Sequence, residues 1–334
     1  MPNPPSSLFR EETSPLPNQP DASRIGWSLF IMALSVQVGG FLFLRLLRWW
    51  SPAWTQAEWY LPLVSILLPM ALGYPPFFLL IRRIPSPGRT PDRGVPVQHF
   101  LLLLIAAFGF SYLTNLFTQL FASWFASRTG YVPENPLLDL ENGLPAPALL
   151  FFTVIAAPVL EELVFRKLLL DRLRHWGEGF CILSTALLFA LYHGNLSQFA
   201  YTFVVGLVFG YAAVRYSVRC SIGLHICLNL PSALILSFLD LEALEQIAAS
   251  PDIYLSAPGE WLWLMIPSFF LSVFMLGTIA GSLVILVHFY KRLSLSRGGS
   301  GMPEGVKYRL FFGSTGVALF VSMHVLLIAL SLFS

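Results

Sequence analysis

Nine apolar stretches separated by short polar segments dominate the sequence and constrain its fold more than any other feature. They lie at approximately 27–47, 59–81, 98–124, 146–168, 179–194, 196–214, 221–239, 261–290 and 311–333. A helix needs about 20 apolar residues to cross the hydrocarbon core of a bilayer. The sequence therefore predicts an all-α, polytopic membrane protein with about nine transmembrane helices.

The composition excludes a soluble enzyme. Only 11% of the residues are charged and 56% are hydrophobic, whereas soluble domains carry about 25% charged residues. Cys181, Cys220 and Cys227 lie in or beside apolar stretches and form no CxxC pair. Neither a disulfide framework nor a thiolate metal site is therefore indicated. The expected surroundings are membrane lipids, and no nucleic-acid partner is predicted.

The chain is predicted to form one membrane domain with four successive parts. Residues 1–26 are rich in proline, serine and charge and are expected to form a flexible N-terminal tail. Accessory transmembrane helices follow over 27–144. A core segment, to which the motifs described below assign catalysis, is expected over 145–240, and a loop and the C-terminal transmembrane helices over 241–334.

Basic residues are distributed unevenly among the polar connections. Lys and Arg accumulate on the cytoplasmic loops of membrane proteins. The connections after the second, fourth, sixth and eighth stretches carry these residues: Arg82, Arg83, Arg89, Arg93, Arg166, Lys167, Arg172, Arg174, Arg215, Arg219, Lys291, Arg292, Arg297, Lys307 and Arg309. The alternate connections near 134–141 and 240–260 are mainly acidic. This asymmetry predicts a cytoplasmic N-terminus and an external C-terminus, with Arg45 and Arg48 as the pair that does not fit.

The fourth apolar stretch contains two adjacent acids and an arginine. Glu162 and Arg166 are four residues apart with the acid first, which is the favourable order for a helical ion pair. Glu161 points about 100° away around the helix and gains no such partner. A buried carboxylate without a counter-charge suits a general base. The spacing therefore assigns Glu162 and Arg166 to structure and Glu161 to chemistry, unless all three merely end the helix at the membrane interface.

Two further stretches carry histidines at helical spacing from another candidate residue. Phe189 precedes His193 by one turn, and Asn229 follows His225 by one turn on the same face. A lone histidine in an apolar helix is often a satisfied core residue, and a His and Asn pair often only bridges helices. At their expected depths, however, Glu161, His193 and His225 can all reach one cavity that opens toward the cytoplasm.

A pair of glycines is predicted to bring helices close together near these residues. Gly206 and Gly210 are four residues apart in the sixth stretch. This spacing lets a neighbouring backbone approach closely. We interpret Gly206, Gly210 and the Phe189 side chain as packing elements around the expected cavity.

Taken together, the motifs resemble those of a known family of intramembrane proteases. Glu-Glu-x-x-x-Arg, Phe-x-x-x-His and His-x-x-x-Asn occur in this order on separate predicted helices. This ordered set is similar to that of the type II CAAX prenyl endopeptidase and bacteriocin-processing family, also called CPBP or ABI. The resemblance covers roughly residues 145–235.

The resemblance implies peptide-bond hydrolysis in a conical cavity within the membrane. It implies that Glu161 and His193 activate a water molecule, and that His225 and Asn229 stabilise the oxyanion. The expected substrate is a peptide or a lipidated protein, such as a prenylated one, that associates with the membrane. No cofactor is predicted on this basis.

Two alternatives remain open at this stage. Glu161, His193 and His225 would together supply the ligands of a catalytic zinc site, although no His-Glu-x-x-His helix is present. The chain could instead be a non-catalytic scaffold, an immunity factor or a transporter. A transporter should show matching broken helices in two halves, and the sequence shows no such symmetry.

Overall fold

The computed structural model describes residues 19–56, 60, 67–133, 146–238, 258–289, 295–296 and 301–333, and within these ranges it is helical and contains no strand. The α-helices are α1 (Gln19–Leu34), α2 (Gly40–Trp50), α3 (Leu68–Ile81), α4 (Val97–Thr129), α5 (Ala146–Leu150), α6 (Ala157–Glu162), α7 (Leu170–Leu173), α8 (Glu178–Tyr192), α9 (Leu196–Arg215), α10 (Val218–Phe238), α11 (Pro258–Phe289), α12 (Glu304–Phe312) and α13 (Thr315–Leu330). π-helical segments at Ser35–Gly39, Phe151–Ala156 and Leu163–Leu169 join α1 to α2, α5 to α6 and α6 to α7.

The helices support a multi-pass membrane protein, but the predicted count of nine crossings is not confirmed. Six helical stretches of the described residues are long and apolar enough to cross a bilayer. The pair formed by α12 and α13 is bent by 75° and would give a seventh. The other two predicted crossings coincide with the shorter helices α3 and α8. Part of the predicted crossing at 59–81 lies outside the described residues, as do the acidic connections at 134–145 and 239–257.

The first helix begins earlier than the apolar pattern indicates. α1 starts at Gln19, inside the segment that was expected to be a flexible tail, and residues 1–18 lie outside the described part of the chain. Ala22, Ile25 and Leu29 are buried. Their spacing places them on one face of the helix, so this face packs against the protein although the segment is polar overall.

The N-terminal and C-terminal helices cross at a very short distance. A Cβ atom on Gly26 of α1 would lie 2.0 Å from the backbone nitrogen of Val317 in α13. A Cβ atom on Gly316 would lie 2.3 Å from the backbone nitrogen of Trp27. Only residues without a side chain allow two helix backbones to approach this closely. This contact holds α13 behind the turn that carries His193.

The outward faces of the long helices are apolar, as lipid contact requires. On α4 and α11 the side chains of Phe117, Phe269 and Leu276 are 62%, 64% and 68% exposed. α4 packs against both α9 and α11. The core of the protein is formed around α8 and α9, whose side chains Leu188, Phe189 and Phe209 are buried.

We expect Gly26→Ala to destabilise the protein, because the new methyl group would force α1 away from α13. Gly277→Ala is the matched control, since a Cβ atom at that position of α11 meets no described atom within 4 Å. The folded fraction in detergent, measured by size-exclusion chromatography, should fall for Gly26→Ala only. Equal yields of the two variants would contradict the close crossing.

Candidate active site

The predicted general base lies on an irregular helical rod. The α6 helix, which contains Glu161 and Glu162, lies between two π-helical segments, Phe151–Ala156 and Leu163–Leu169. Such wider turns are often found at functional sites. They shift the direction in which successive side chains point, which an ideal helical wheel does not anticipate.

Pro158 leaves one backbone carbonyl of this helical segment without its usual donor from within the helix. In the preceding π-helical segment the N–H of Ala157 bonds to the carbonyl of Phe152, five residues earlier. The next bond of this series would join residue 158 to Thr153, but proline has no N–H to donate. The side-chain amide of Asn229 donates to the Thr153 carbonyl instead, at 2.9 Å. A predicted oxyanion donor is therefore held in place by a backbone defect that the sequence encodes.

Glu162 is the centre of a buried polar cluster. Its carboxylate lies 3.4 Å from Nε of Arg166, and both side chains are fully buried. It also accepts a hydrogen bond from the Ser221 hydroxyl and lies 3.1 Å from Nδ1 of His225. The structure thus brings the predicted ion-pair residues together, and it adds two partners from α10.

Arg166 is balanced by a carboxylate and an aromatic ring. Its guanidinium carbon lies 4.9 Å from the centre of the Phe189 ring, where the negative face of the ring attracts a cation. Its guanidinium nitrogens make no hydrogen bond within the described residues. The contact gives Phe189 a second role beyond the packing role expected from the sequence.

The two histidines present the same nitrogen to the cavity. Nδ1 of His193 lies 2.9 Å from the backbone carbonyl of Phe189. A carbonyl only accepts, so Nδ1 carries the proton and Nε2 is free. Nδ1 of His225 faces Glu162, whose carboxylate accepts a hydrogen bond from Ser221 and forms an ion pair with Arg166. Nε2 of His225 is then the free nitrogen, and it lies 3.8 Å from Glu161.

The Phe189 ring holds both histidines in their orientations. It meets the His193 ring edge-on at 4.9 Å and the His225 ring at 6.0 Å. On its other side His225 packs against Phe209, with ring centres 4.9 Å apart. These contacts leave each imidazole little rotational freedom.

The four residues proposed for catalysis surround one cavity of about 430 Å³. Glu161, His193, His225 and Asn229 all line it, whereas Glu162 and Arg166 do not. The remaining lining includes polar residues from several helices: Tyr74, Ser111, Asn115, Thr153, Tyr192, Gln198, Tyr201, Thr202 and Ser232. The arrangement therefore provides a concave, partly polar site inside an apolar protein, as a binding or catalytic site requires.

The predicted packing glycines lie directly behind this cavity. A Cβ atom on Gly206 would be 3.1 Å from the Ala186 side chain, and one on Gly210 would be 3.2 Å from Ile182. Both contacts join α9 to α8. They bring α9 close to the helix that carries Phe189 and leads to His193.

Sequence reasoning missed several residues of the site. Ser221 precedes His225 by one turn, so its helical spacing could have indicated it. Phe209 and the cavity tyrosines Tyr74 and Tyr201 carry no such local signal, because they lie on helices that meet the site only through the tertiary fold.

The described residues contain no group of three or more His, Cys, Asp or Glu arranged to hold a metal ion. The zinc alternative required Glu161, His193 and His225 to converge on one point. In this arrangement Glu161 and His225 face each other at 3.8 Å, and the three side chains do not form such a group as they stand.

These features define a multi-pass membrane protein with a cavity between its helices that is lined in part by polar side chains. Residues 143–231 match the model of the type II CAAX prenyl endopeptidase Rce1-like family. This match confirms the resemblance indicated by the three motifs and shows that the segment is similar to CAAX proteases of this type. No curated protein and no solved structure matches the chain.

We expect Arg166→Ala to reduce the folded yield sharply, because it leaves the buried Glu162 carboxylate without its counter-charge. Loss of one partner of a buried pair costs about 3–5 kcal/mol. Glu161→Ala is the matched control, since Glu161 adjoins the pair but lines the cavity. Detergent-solubilised yield and the thermal midpoint should fall for Arg166→Ala alone, and equal losses would contradict this division of roles.

Proposed function

We propose that the chain is an intramembrane endopeptidase that hydrolyses a peptide bond with a water molecule activated by Glu161 and His193. The observation that carries this proposal is the convergence of Glu161, His193, His225 and Asn229 on one cavity. Glu162 is committed to Arg166 and Ser221. Glu161 is therefore the carboxylate left for proton transfer.

The proposed attack by water needs a base that removes a proton and a hydrogen-bond acceptor that orients the water molecule. The Glu161 carboxylate takes one proton from the water. The unprotonated Nε2 of His193 accepts a hydrogen bond from the second water hydrogen and so orients the water molecule. The water oxygen forms a bond to the scissile carbonyl carbon, and the carbonyl oxygen gains the negative charge. Glu161 then delivers its proton to the nitrogen of the leaving amine as the peptide bond breaks.

The proposed oxyanion donors are His225 and Asn229. The amide of Asn229 has two N–H groups, and Thr153 takes one of them, so the second is available. His225 uses its Nδ1 proton on Glu162. It donates to the oxyanion only when Nε2 is also protonated, and we therefore assign it the cationic form. Each such donor is worth about 3 kcal/mol in the transition state.

Charge balance in the apolar surroundings supports this assignment. The cluster contains two carboxylates, Glu161 and Glu162, and one guanidinium, Arg166. A cationic His225 brings the sum of these four groups to zero. Burying a net charge in a low-dielectric site is costly, so the neutral combination is the favoured one.

The family resemblance extends the proposal to the substrate and to the orientation. The substrate is proposed to be a membrane-associated peptide or lipidated protein, for which a prenylated CAAX peptide is the natural probe. The distribution of basic residues on the connections supports a cytoplasmic N-terminus. Such a topology would give the cavity access to proteins anchored at the cytoplasmic surface.

We expect Glu161→Ala to lower the cleavage rate by at least about 100-fold, because a positioned base contributes about 10²–10⁴ in rate. The purified protein would be assayed in nanodiscs with an internally quenched prenylated CAAX peptide. Comparative proteomics of membranes with and without Glu161→Ala would search for natural substrates. Asp92→Ala, which changes an exposed acid on a connecting segment, is the control and should keep full activity. Undiminished cleavage by Glu161→Ala would refute the proposal.

We also expect the cleavage to be independent of a bound transition metal. With Glu161 as a zinc ligand, Glu162 would have to act as the base, but it is occupied by Arg166 and Ser221. Protein stripped with a tight chelator and assayed in metal-free buffer should retain its activity. Activity that is lost on stripping and restored by stoichiometric zinc would establish a metal mechanism instead.

A further inference from the structure

One wall of the cavity extends beyond the reaction centre and is formed by the beginning of α9. Gln198, Tyr201 and Thr202 line the cavity from this helix. The proposed hydrolysis uses none of these three side chains. Polar groups in a largely apolar cavity generally fix the orientation of a ligand.

Asn195 sets the direction of the hydrogen bonds in this wall. Its Oδ1 accepts from the backbone N–H of Gln198 at 2.9 Å, as the N-cap of α9. Its Nδ2 donates to the backbone carbonyl of His193 at 2.8 Å. A backbone N–H only donates and a backbone carbonyl only accepts. The amide of Asn195 therefore has one possible orientation.

The orientation of Asn195 determines that of Gln198. Nδ2 of Asn195 also donates to Oε1 of Gln198 at 2.8 Å, so the other end of the Gln198 amide is the donor Nε2. This Nε2 donates to the hydroxyl oxygen of Tyr201 at 3.4 Å. Because the Tyr201 oxygen accepts this bond, its own proton is left to donate elsewhere. The cavity that Tyr201 lines is where a ligand would meet this donor.

The position of Tyr201 along α9 places it beside the scissile bond and not at it. Phe209, which is on α9 like Tyr201, packs against the His225 ring of α10. Tyr201 lies two helical turns earlier, which corresponds to about 12 Å along the axis at about 1.5 Å per residue. An extended peptide advances about 3.3 Å per residue. For a peptide that runs alongside α9 past His225, the Tyr201 hydroxyl would be level with a peptide group about three or four residues from the reacting carbonyl.

We propose that the Tyr201 hydroxyl binds a backbone carbonyl oxygen of the substrate, in the peptide that flanks the scissile bond. This inference rests on the proposed peptidase function and adds a subsite to it. The ligand chemistry is an uncharged acceptor that every peptide carries, so the contact fixes the position of the chain and not its sequence. Since Asn195 also bonds to the carbonyl of His193, the subsite and the proposed water-orienting histidine are held by the same turn.

The test is a binding measurement that does not depend on catalysis. In the Glu161→Ala background, a fluorescent prenylated CAAX peptide is titrated with the full-length protein in nanodiscs, and Kd is read from anisotropy. Tyr201→Phe removes only the hydroxyl and should raise Kd by about 3- to 10-fold, as for loss of one uncharged hydrogen bond. Tyr211→Phe, on the same helix but outside the cavity lining, is the control and should leave Kd unchanged.

A second variant tests the direction of the hydrogen bonds. Gln198→Glu replaces the donor Nε2 by an acceptor oxygen, so the Tyr201 hydroxyl should turn from the cavity and donate to the new carboxylate. We expect Kd to rise although the hydroxyl is still present. In the Tyr201→Phe background, Gln198→Glu should have no further effect. A rise in Kd that persists in the Tyr201→Phe background would show that the new charge, and not the hydroxyl, weakens binding. It would overturn the proposed order of hydrogen bonds from Asn195 through Gln198 to Tyr201.

The kinetic measurement distinguishes failure of the inference from failure of the proposed function. With an intact Glu161, Tyr201→Phe should raise KM and leave kcat within about two-fold, because it removes binding shared by the ground state and the transition state. An unchanged Kd and KM in a protein that cleaves the peptide would refute the subsite alone. Undiminished cleavage by Glu161→Ala would refute the proposed function alone, because the Kd comparison does not depend on catalysis.

Discussion

The buried carboxylate of Glu162 is the interaction on which the geometry of the site depends. It joins its own helix to α10 through Ser221 and His225, and it offsets the charge of Arg166, which in turn lies over Phe189 of α8. One side chain thus fixes the relative position of three helices in a medium where a stranded charge is expensive. Its neighbour Glu161 is directed to the cavity by the same helix.

Much of this arrangement was predictable because it depends on spacing along single helices. The separation of Glu162 and Arg166 predicted their contact. The expected depths of Glu161, His193 and His225 predicted that they reach one cavity, and the family resemblance added Asn229. The contacts between helices could not be predicted in this way. Nothing local marks Phe209 or Tyr201, and a regular helical period does not reveal the two π-helical segments beside α6. The early start of α1 was missed because a polar segment can still have one buried face.

Pro158 shows how a local defect acquires a distant consequence. The proline removes one backbone donor from the rod, and the carbonyl of Thr153 would otherwise be left without a partner in an apolar environment. Asn229 supplies that partner from α10. The interaction satisfies the backbone and simultaneously holds the Asn229 amide at the cavity wall. The structural and the functional interpretations of this residue are therefore compatible, because an amide has two hydrogens to donate.

The two histidines show how similar hydrogen-bond geometry can support opposite roles. Each one uses Nδ1 for a fixed partner and presents Nε2 to the cavity. The partner of His193 is a neutral backbone carbonyl, which orients the ring. The partner of His225 is the carboxylate of Glu162, which lies 3.1 Å from Nδ1. In the proposed mechanism His193 accepts a hydrogen bond from the attacking water and His225 donates one to the oxyanion, so rings with similar Nδ1 contacts are assigned opposite roles at Nε2.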